Sequence, residues 1–232
     1  MLSKDFTIQY QFRFADNRKR DFLFVLDKDS LALKSAAEEK NLPDWTRLEF
    51  HKCSNCTLKE EDHPYCPVAK EYRIILDSFS KNFSYEKVKV LVKVEERYYF
   101  KETSLQAGIS SMLGIVNVTC GCPVLSQLRP MVRFHLPFGS SEETTFRSAA
   151  IFLLGKYLES KDKKILPPID WQELADTLSD VGTVNLGLAE RIKDMSSGDA
   201  NINSLLILDG FAKITGFVLE DGVEGLRYLF KT

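Results

Sequence analysis

The sequence predicts an α+β fold: a mainly antiparallel N-terminal sheet with a packed helix, then a helical C-terminal half, the two joined by a cysteine-ligated metal site. Three observations lead there. Phe6, Ile8, Tyr10, Phe12 and Phe14 alternate strictly with polar neighbours, which is the period of a half-buried strand. After residue 101 the apolar residues recur at helical spacing instead. Between these stretches, three of the five cysteines crowd into fourteen residues. The chain divides into 1–101, a sheet region with a cysteine-rich loop at 51–66, and 102–232, a helical region, as parts of one integrated domain.

Each element follows from local pattern. After the Asp16-Asn17 turn, Phe22, Phe24 and Leu26 alternate again, so a hairpin opens the chain. Trp45, Leu48 and Phe50 suggest a third, weaker strand over 44–50 that leads into the cysteine loop. Pro67 suits a first helical position, and Val68, Tyr72, Ile75, Leu76 and Phe79 then recur on one face that can pack on the sheet. Val88, Val90, Val92 and Val94 alternate with Lys87, Lys89, Leu91 and Lys93 as a further strand. Tyr98 and Phe100 either continue it or return past Glu95-Glu96, giving about four or five strands in all.

The helical half is read from caps and spacing. Thr103 with Gln106, and Ser140 with Glu143, have the separation of capping boxes. The first precedes Ile109, Met112, Leu113 and Val116; the second precedes Phe146, Ala150, Leu153, Leu154 and Tyr157. Residues 161–168 form a connecting loop, and Asp170 opens a helix through Leu174 and Leu178. Asp199 caps another, bearing Leu205, Leu208 and Ala212. Asp221-Gly222 then turns into a short terminal segment through Leu226 and Leu229.

Composition narrows the function classes. The 232 residues are 44% hydrophobic and 28% charged, enough to bury a core without disulfides. Lysines and arginines number 31 against 33 acids, a net charge of −2, so no global field holds a polyanion and nucleic-acid binding is disfavoured. No apolar run reaches the ~18 residues of a membrane span, and Met1 to Phe6 lack a signal-peptide apolar region, so a cytoplasmic protein with no membrane role is expected. Phosphate-loop, dinucleotide-binding, nucleophile-elbow and His-Glu-x-x-His patterns are all missing, which removes support for the commonest motif-bearing enzymes.

The cysteines carry the clearest chemistry. Five is an odd number, and their clustering fits metal ligation in a reducing compartment better than a disulfide framework. Cys53-Ser54-Asn55-Cys56 places two thiols on one tight turn, and Cys66 follows after nine intervening residues. A tetrahedral site needs a fourth ligand. Cys120 and Cys122 are candidates, with His51 and His63 competing. Cys122 is preferred because Cys66-Pro67 and Cys122-Pro123 each put a thiol where free backbone N–H groups favour a thiolate. Four thiolates with no open position favour zinc; cysteine-proline sequences also occur around iron-sulfur clusters, the alternative cofactor. A thioredoxin-like motif would need a helix directly after Cys56, whereas the expected helix starts after Cys66.

A second candidate lies in Arg129-Pro130-Met131-Val132-Arg133-Phe134-His135-Leu136-Pro137-Phe138. If this segment is extended, Arg133 and His135 face one way. With Arg129 they could then hold a carboxylate or phosphate while His135 moves a proton. The competing reading is structural: each arginine satisfies a local group such as Glu142 or Glu143, and the histidine is a buried hydrogen-bonding residue. Asp199-Ala200-Asn201-Ile202-Asn203 lacks the acids of a calcium loop and reads as a helix start.

Taken together, Cys53-x-x-Cys56, Tyr65-Cys66-Pro67, Gly121-Cys122-Pro123, Arg129-Pro130-Met131, Arg133-Phe134-His135-Leu136-Pro137-Phe138 and Asp199-Ala200-Asn201 resemble a family of uncharacterised bacterial proteins, a domain of unknown function. The resemblance spans most of the chain. It implies a bacterial cytoplasmic protein and supplies no activity or substrate.

The leading functional expectation is a metal-stabilised binding or regulatory module whose partner is a small anionic ligand or a protein. The alternatives are a metal-dependent hydrolase or redox enzyme using Arg129, Arg133 and His135, and a thiol redox sensor in which Cys120 is the spare thiol.

Overall fold

The computed structural model describes residues 5–34, 42–163, 169–193, 198–220 and 223–230, leaving aside the side chains of 162–163 and 217–220. It is α+β. Four strands, β1 (Asp5–Phe14), β2 (Lys19–Asp27), β3 (Lys87–Val94) and β4 (Arg97–Ser104), form one antiparallel sheet in the order β2-β1-β3-β4. Asn17 takes the left-handed conformation, φ 66°, in the β1-β2 turn, and Glu95 does so, φ 52°, between β3 and β4. Tyr98 and Phe100 therefore return on a strand of their own.

One face of the sheet is core. Phe6, Ile8, Tyr10, Phe12 and Phe14 are all buried, and Val94, Val92, Val90 and Val88 stand opposite the last four of them in register. Helix α1 (Pro67–Phe79) lays its predicted apolar stripe on this face, with the Phe79 ring 5.2 Å from that of Phe12. Helix α2 (Leu105–Thr119) covers the rest through Ile109, Met112, Leu113 and Val116. The short α3 (Pro130–Arg133) and the long α4 (Ser141–Lys163), α5 (Trp171–Ile192) and α6 (Ala200–Glu220) complete the helical part. The buried cluster runs from β1 through α2 to Val184 and Leu188 of α5 and Leu205 of α6, so both halves of the sequence contribute to it.

Several local expectations are corrected. Residues 44–50 hold no strand. Pro43 and Asp44 start a 3-10 turn, Asp44–Thr46, and only Arg47 bridges to Tyr65. The Thr103-Gln106 capping box does not form, because β4 runs on through Ser104. The first amides of α2 instead donate to β-side carbonyls, Leu105 to Glu86 at 2.8 Å and Gln106 to Ser84 at 3.2 Å. The Ser140-Glu143 box does form, with both reciprocal bonds. Asp170 caps α5 through the Gln172 amide, 2.9 Å away.

Helix α4 exposes Phe146, Leu154 and Tyr157 and buries Thr145, Ser148 and Ala149 instead, so small and hydroxylic residues make its inner face. Of the expected loop at 161–168, residues 161–163 still belong to α4 and 164–168 lie outside the described residues, as does Asp221-Gly222.

Asp199 sits just before α6 but reaches sideways. Its carboxylate accepts from the Ser84 backbone amide at 2.6 Å, the Ser84 hydroxyl at 2.9 Å and the Asn203 side-chain Nδ2 at 2.8 Å, contacts that hold it below the usual carboxylate range. Asn201 donates to the Leu76 carbonyl at 3.0 Å. Gly198 packs so tightly that a Cβ there would lie 2.0 Å from the Asn82 carbonyl oxygen. This stretch fastens the start of α6 to the end of α1 and the turn that follows it.

Candidate functional site

The cysteine loop is closed at its base. The Cys66 amide donates to Thr46 O at 2.8 Å and the Leu48 amide to Pro64 O at 3.0 Å, beside the Arg47-Tyr65 bridge. Within the loop the Cys56 amide donates to Cys53 O at 3.0 Å, the tight turn that the two-residue spacing requires. Pro67 begins α1 and leaves buried Cys66 at its N-cap. Across from it, Cys122 lies where the chain turns after α2, with the Val124 and Leu125 amides beside it favouring the thiolate.

These segments bring Cys53, Cys56, Cys66 and Cys122 onto the wall of one cleft of about 20 Å³. Cys120 is elsewhere: it ends α2, with its thiol 3.9 Å from the Asn117 carbonyl. His51 and His63 are exposed and do not line the cleft. Among the described residues no group of three or more His, Cys, Asp or Glu is drawn together as a metal ligand shell. Burial pushes the Cys53 thiol up to about 11, helped by Cys66 and opposed by Arg191, and burial also raises Cys122 against its two amide donors. With no metal ion bound, both are thiols at neutral pH.

Helix α5 forms the far wall. A Cβ at Gly187 would sit 2.8 Å from the Cys53 sulfur, so only glycine allows the helix this close. One turn on, Arg191 is buried and lines the same cleft. Its guanidinium donates to the Trp45, Arg47 and Leu48 carbonyls at 3.0, 2.6 and 2.7 Å, while Nε has no partner and no carboxylate pairs with it among the described residues. Sequence reasoning missed Arg191, since a single arginine in the last turn of a helix carries no signal of its own.

The Arg-His segment is not extended; residues 130–133 form α3, and its three polar side chains part company. Arg129 donates to Val118 O at 3.2 Å and Ser30 O at 3.5 Å. Arg133 pairs with Glu95 at 3.2 Å and lies over the Phe6 ring. His135 turns inward onto the wall of a second, larger cavity of about 410 Å³. There Tyr10 Oη lies 2.7 Å from His135 Nε2 and 2.8 Å from Ser111 Oγ, which accepts from the Phe138 amide. Burial, with Arg147 nearby, pulls the His135 pKa down to about 3, and burial raises Tyr10 far above the usual phenol range. Both groups are neutral. The row closes when Ser111 donates to Tyr10 and Tyr10 to His135, which makes His135 an acceptor rather than an anion anchor.

Comparison with known proteins bears on the whole chain. The family profile described as Domain of unknown function (DUF6901) matches residues 8–231. The chain belongs to this family. No curated protein and no solved structure matches it significantly. Both the cysteine cleft and the larger cavity lie within the matched DUF6901 region, as do the residues that fasten α6.

Proposed function

We propose that this DUF6901 protein is a metal-stabilised binding module in which Cys53, Cys56, Cys66 and Cys122 hold one zinc ion. The ion clamps the 51–66 loop and the turn after α2 against α5. Arg191 carries this reading: a buried guanidinium with no acidic partner among the described residues lies beside four cysteines. Four thiolates around a divalent cation have a net charge of −2, and Arg191 is the nearby positive charge that such a group needs in a low dielectric. The cleft has room for about one ion or water, which favours a single zinc over a cluster of irons and sulfides. Thiolate ligation also suits a reducing compartment such as the cytoplasm.

A metal-dependent enzyme acting through His135 finds less support, since His135 belongs to the other cavity. Elemental analysis with a visible spectrum, on protein purified without added metal, tests the proposal. We expect about one zinc per chain and no visible band. Iron with broad absorption near ~400 nm, where thiolate-iron clusters absorb, would replace zinc by a cluster, and metal-free folded protein would overturn the clamp altogether.

A further inference from the structure

The larger cavity has no part in the metal proposal, and its shape and chemistry are those of a ligand site. At about 410 Å³ it falls within the ~300–1,000 Å³ of small-molecule pockets. Its body is apolar, walled by residues such as Leu128 of the turn at 125–128, Leu178 and Val181 of α5, and Leu208 and Phe211 of α6. A few polar groups interrupt this wall. Arg147 and Ser148 of α4 line it with Lys101, which lies over the Phe138 ring.

Arg147 is half-buried and makes no ion pair among the described residues. One terminal nitrogen, Nη2, serves the Met131 and Phe134 carbonyls at 2.8 and 2.9 Å, which leaves Nε and Nη1 without a protein acceptor there. Burial lowers its pKa, the mark of a cation short of countercharge. Glu143, an acid whose charge reaches Arg147, is committed to the capping box through the Ser140 amide. Also on the cavity wall, the Thr215 hydroxyl is fully buried and has no hydrogen-bond partner among the described residues.

We infer that this cavity binds an amphipathic monocarboxylate, with the carboxylate on Arg147 and the apolar body against α5 and α6. The open Nε–H and Nη1–H donors can each give a carboxylate a charge-assisted hydrogen bond, and a single negative charge costs less to bury in an apolar chamber than a phosphate dianion. The neutral Tyr10-Ser111-His135 row adds hydrogen-bonding capacity to the wall without adding charge.

Decanoate and 1-decanol share a chain length and differ in the headgroup, so titration calorimetry of the purified, metal-loaded protein with each separates charge recognition from greasy burial. We expect decanoate to bind about tenfold or more tighter than decanol, as a charge-assisted pair implies. R147Q should bring that ratio close to one, with R147K between. G114L tests the chamber itself. A Cβ at Gly114 meets only Leu208 at 3.8 Å, so the variant should fold and should lose both ligands by filling the space. Equal affinity for the two compounds, no binding of either, or an unchanged preference in R147Q would each overturn the assignment.

Discussion

At the scale of single residues, the two cysteines after α2 make opposite predictions. Cys122 lines the cleft with the Val124 and Leu125 amides beside it, whereas Cys120 is packed away against the Asn117 carbonyl. C122S should lower zinc affinity by more than the ~10–100-fold typical of changes behind the ligands, while C120S should retain the ion after dialysis against a chelator. Equal retention would remove Cys122 from the ligand set. His135 is tested by pH. Its pKa is near 3 in the fold and near 6.5 when unfolded, so the unfolded chain binds the proton first as pH falls. The stability it contributes is complete above about pH 6.5 and is lost towards pH 3, at about 1.4 kcal/mol per pH unit. In H135Q the neutral amide cannot titrate. The difference in denaturation free energy between wild type and variant should therefore shrink from pH 7 to pH 4, and a constant difference would refute the neutral histidine.

At the scale of elements, the start of α6 depends on a contact that leaves no room for a methyl group. G198A forces a Cβ against the Asn82 carbonyl and should cost about 1–3 kcal/mol, read from the denaturant midpoint at unchanged slope. A midpoint equal to wild type would mean that this junction yields freely. The elements readable from sequence were those with a strong period or a self-contained cap: β1, β3, α1 and the Ser140 box all have their determinants within a few residues. The 44–50 segment misled because Trp45, on a 3-10 turn, and Leu48 just after it are buried by tertiary contact without being in a strand, while Phe50 is exposed. Thr103 misled because the α2 amides find distant carbonyls, which no local spacing encodes. The cysteine set could be chosen by spacing and by neighbouring prolines. Arg191 and Arg147 could not, since a cation becomes informative only when its surroundings lack an acid.

At the scale of the whole molecule, α5 stands between the two candidate sites, with Val184 and Arg191 on the cleft and Val181 and Asn185 on the cavity. Structural zinc is worth an apparent ~10–16 kcal/mol against a net domain stability of ~5–15 kcal/mol, so chelation should unfold the protein cooperatively rather than loosen one loop. Because Cys53 and Cys122 are both raised by burial, zinc must displace at least their two protons. The logarithm of its affinity should then climb by about two or more per pH unit between pH 6 and 8, measured by competition with a chelator. A flat profile would show that the thiols are not the ligands.

The closed base of the cysteine loop also makes part of its length arbitrary. Cys56 and Cys66 are placed by the turn at 53–56 and by the bonds around 46–48 and 64–66, while 59–64 is an exposed tip. Doubling a flexible loop costs only about 0.6 kcal/mol in closure entropy, so an epitope tag spliced between Glu60 and Glu61 should leave folding and zinc content intact. The same tag between Ser54 and Asn55 should abolish both. The two intervals between sulfurs would then differ in kind: one is dictated by coordination geometry, and the other is free to drift in length between homologous chains.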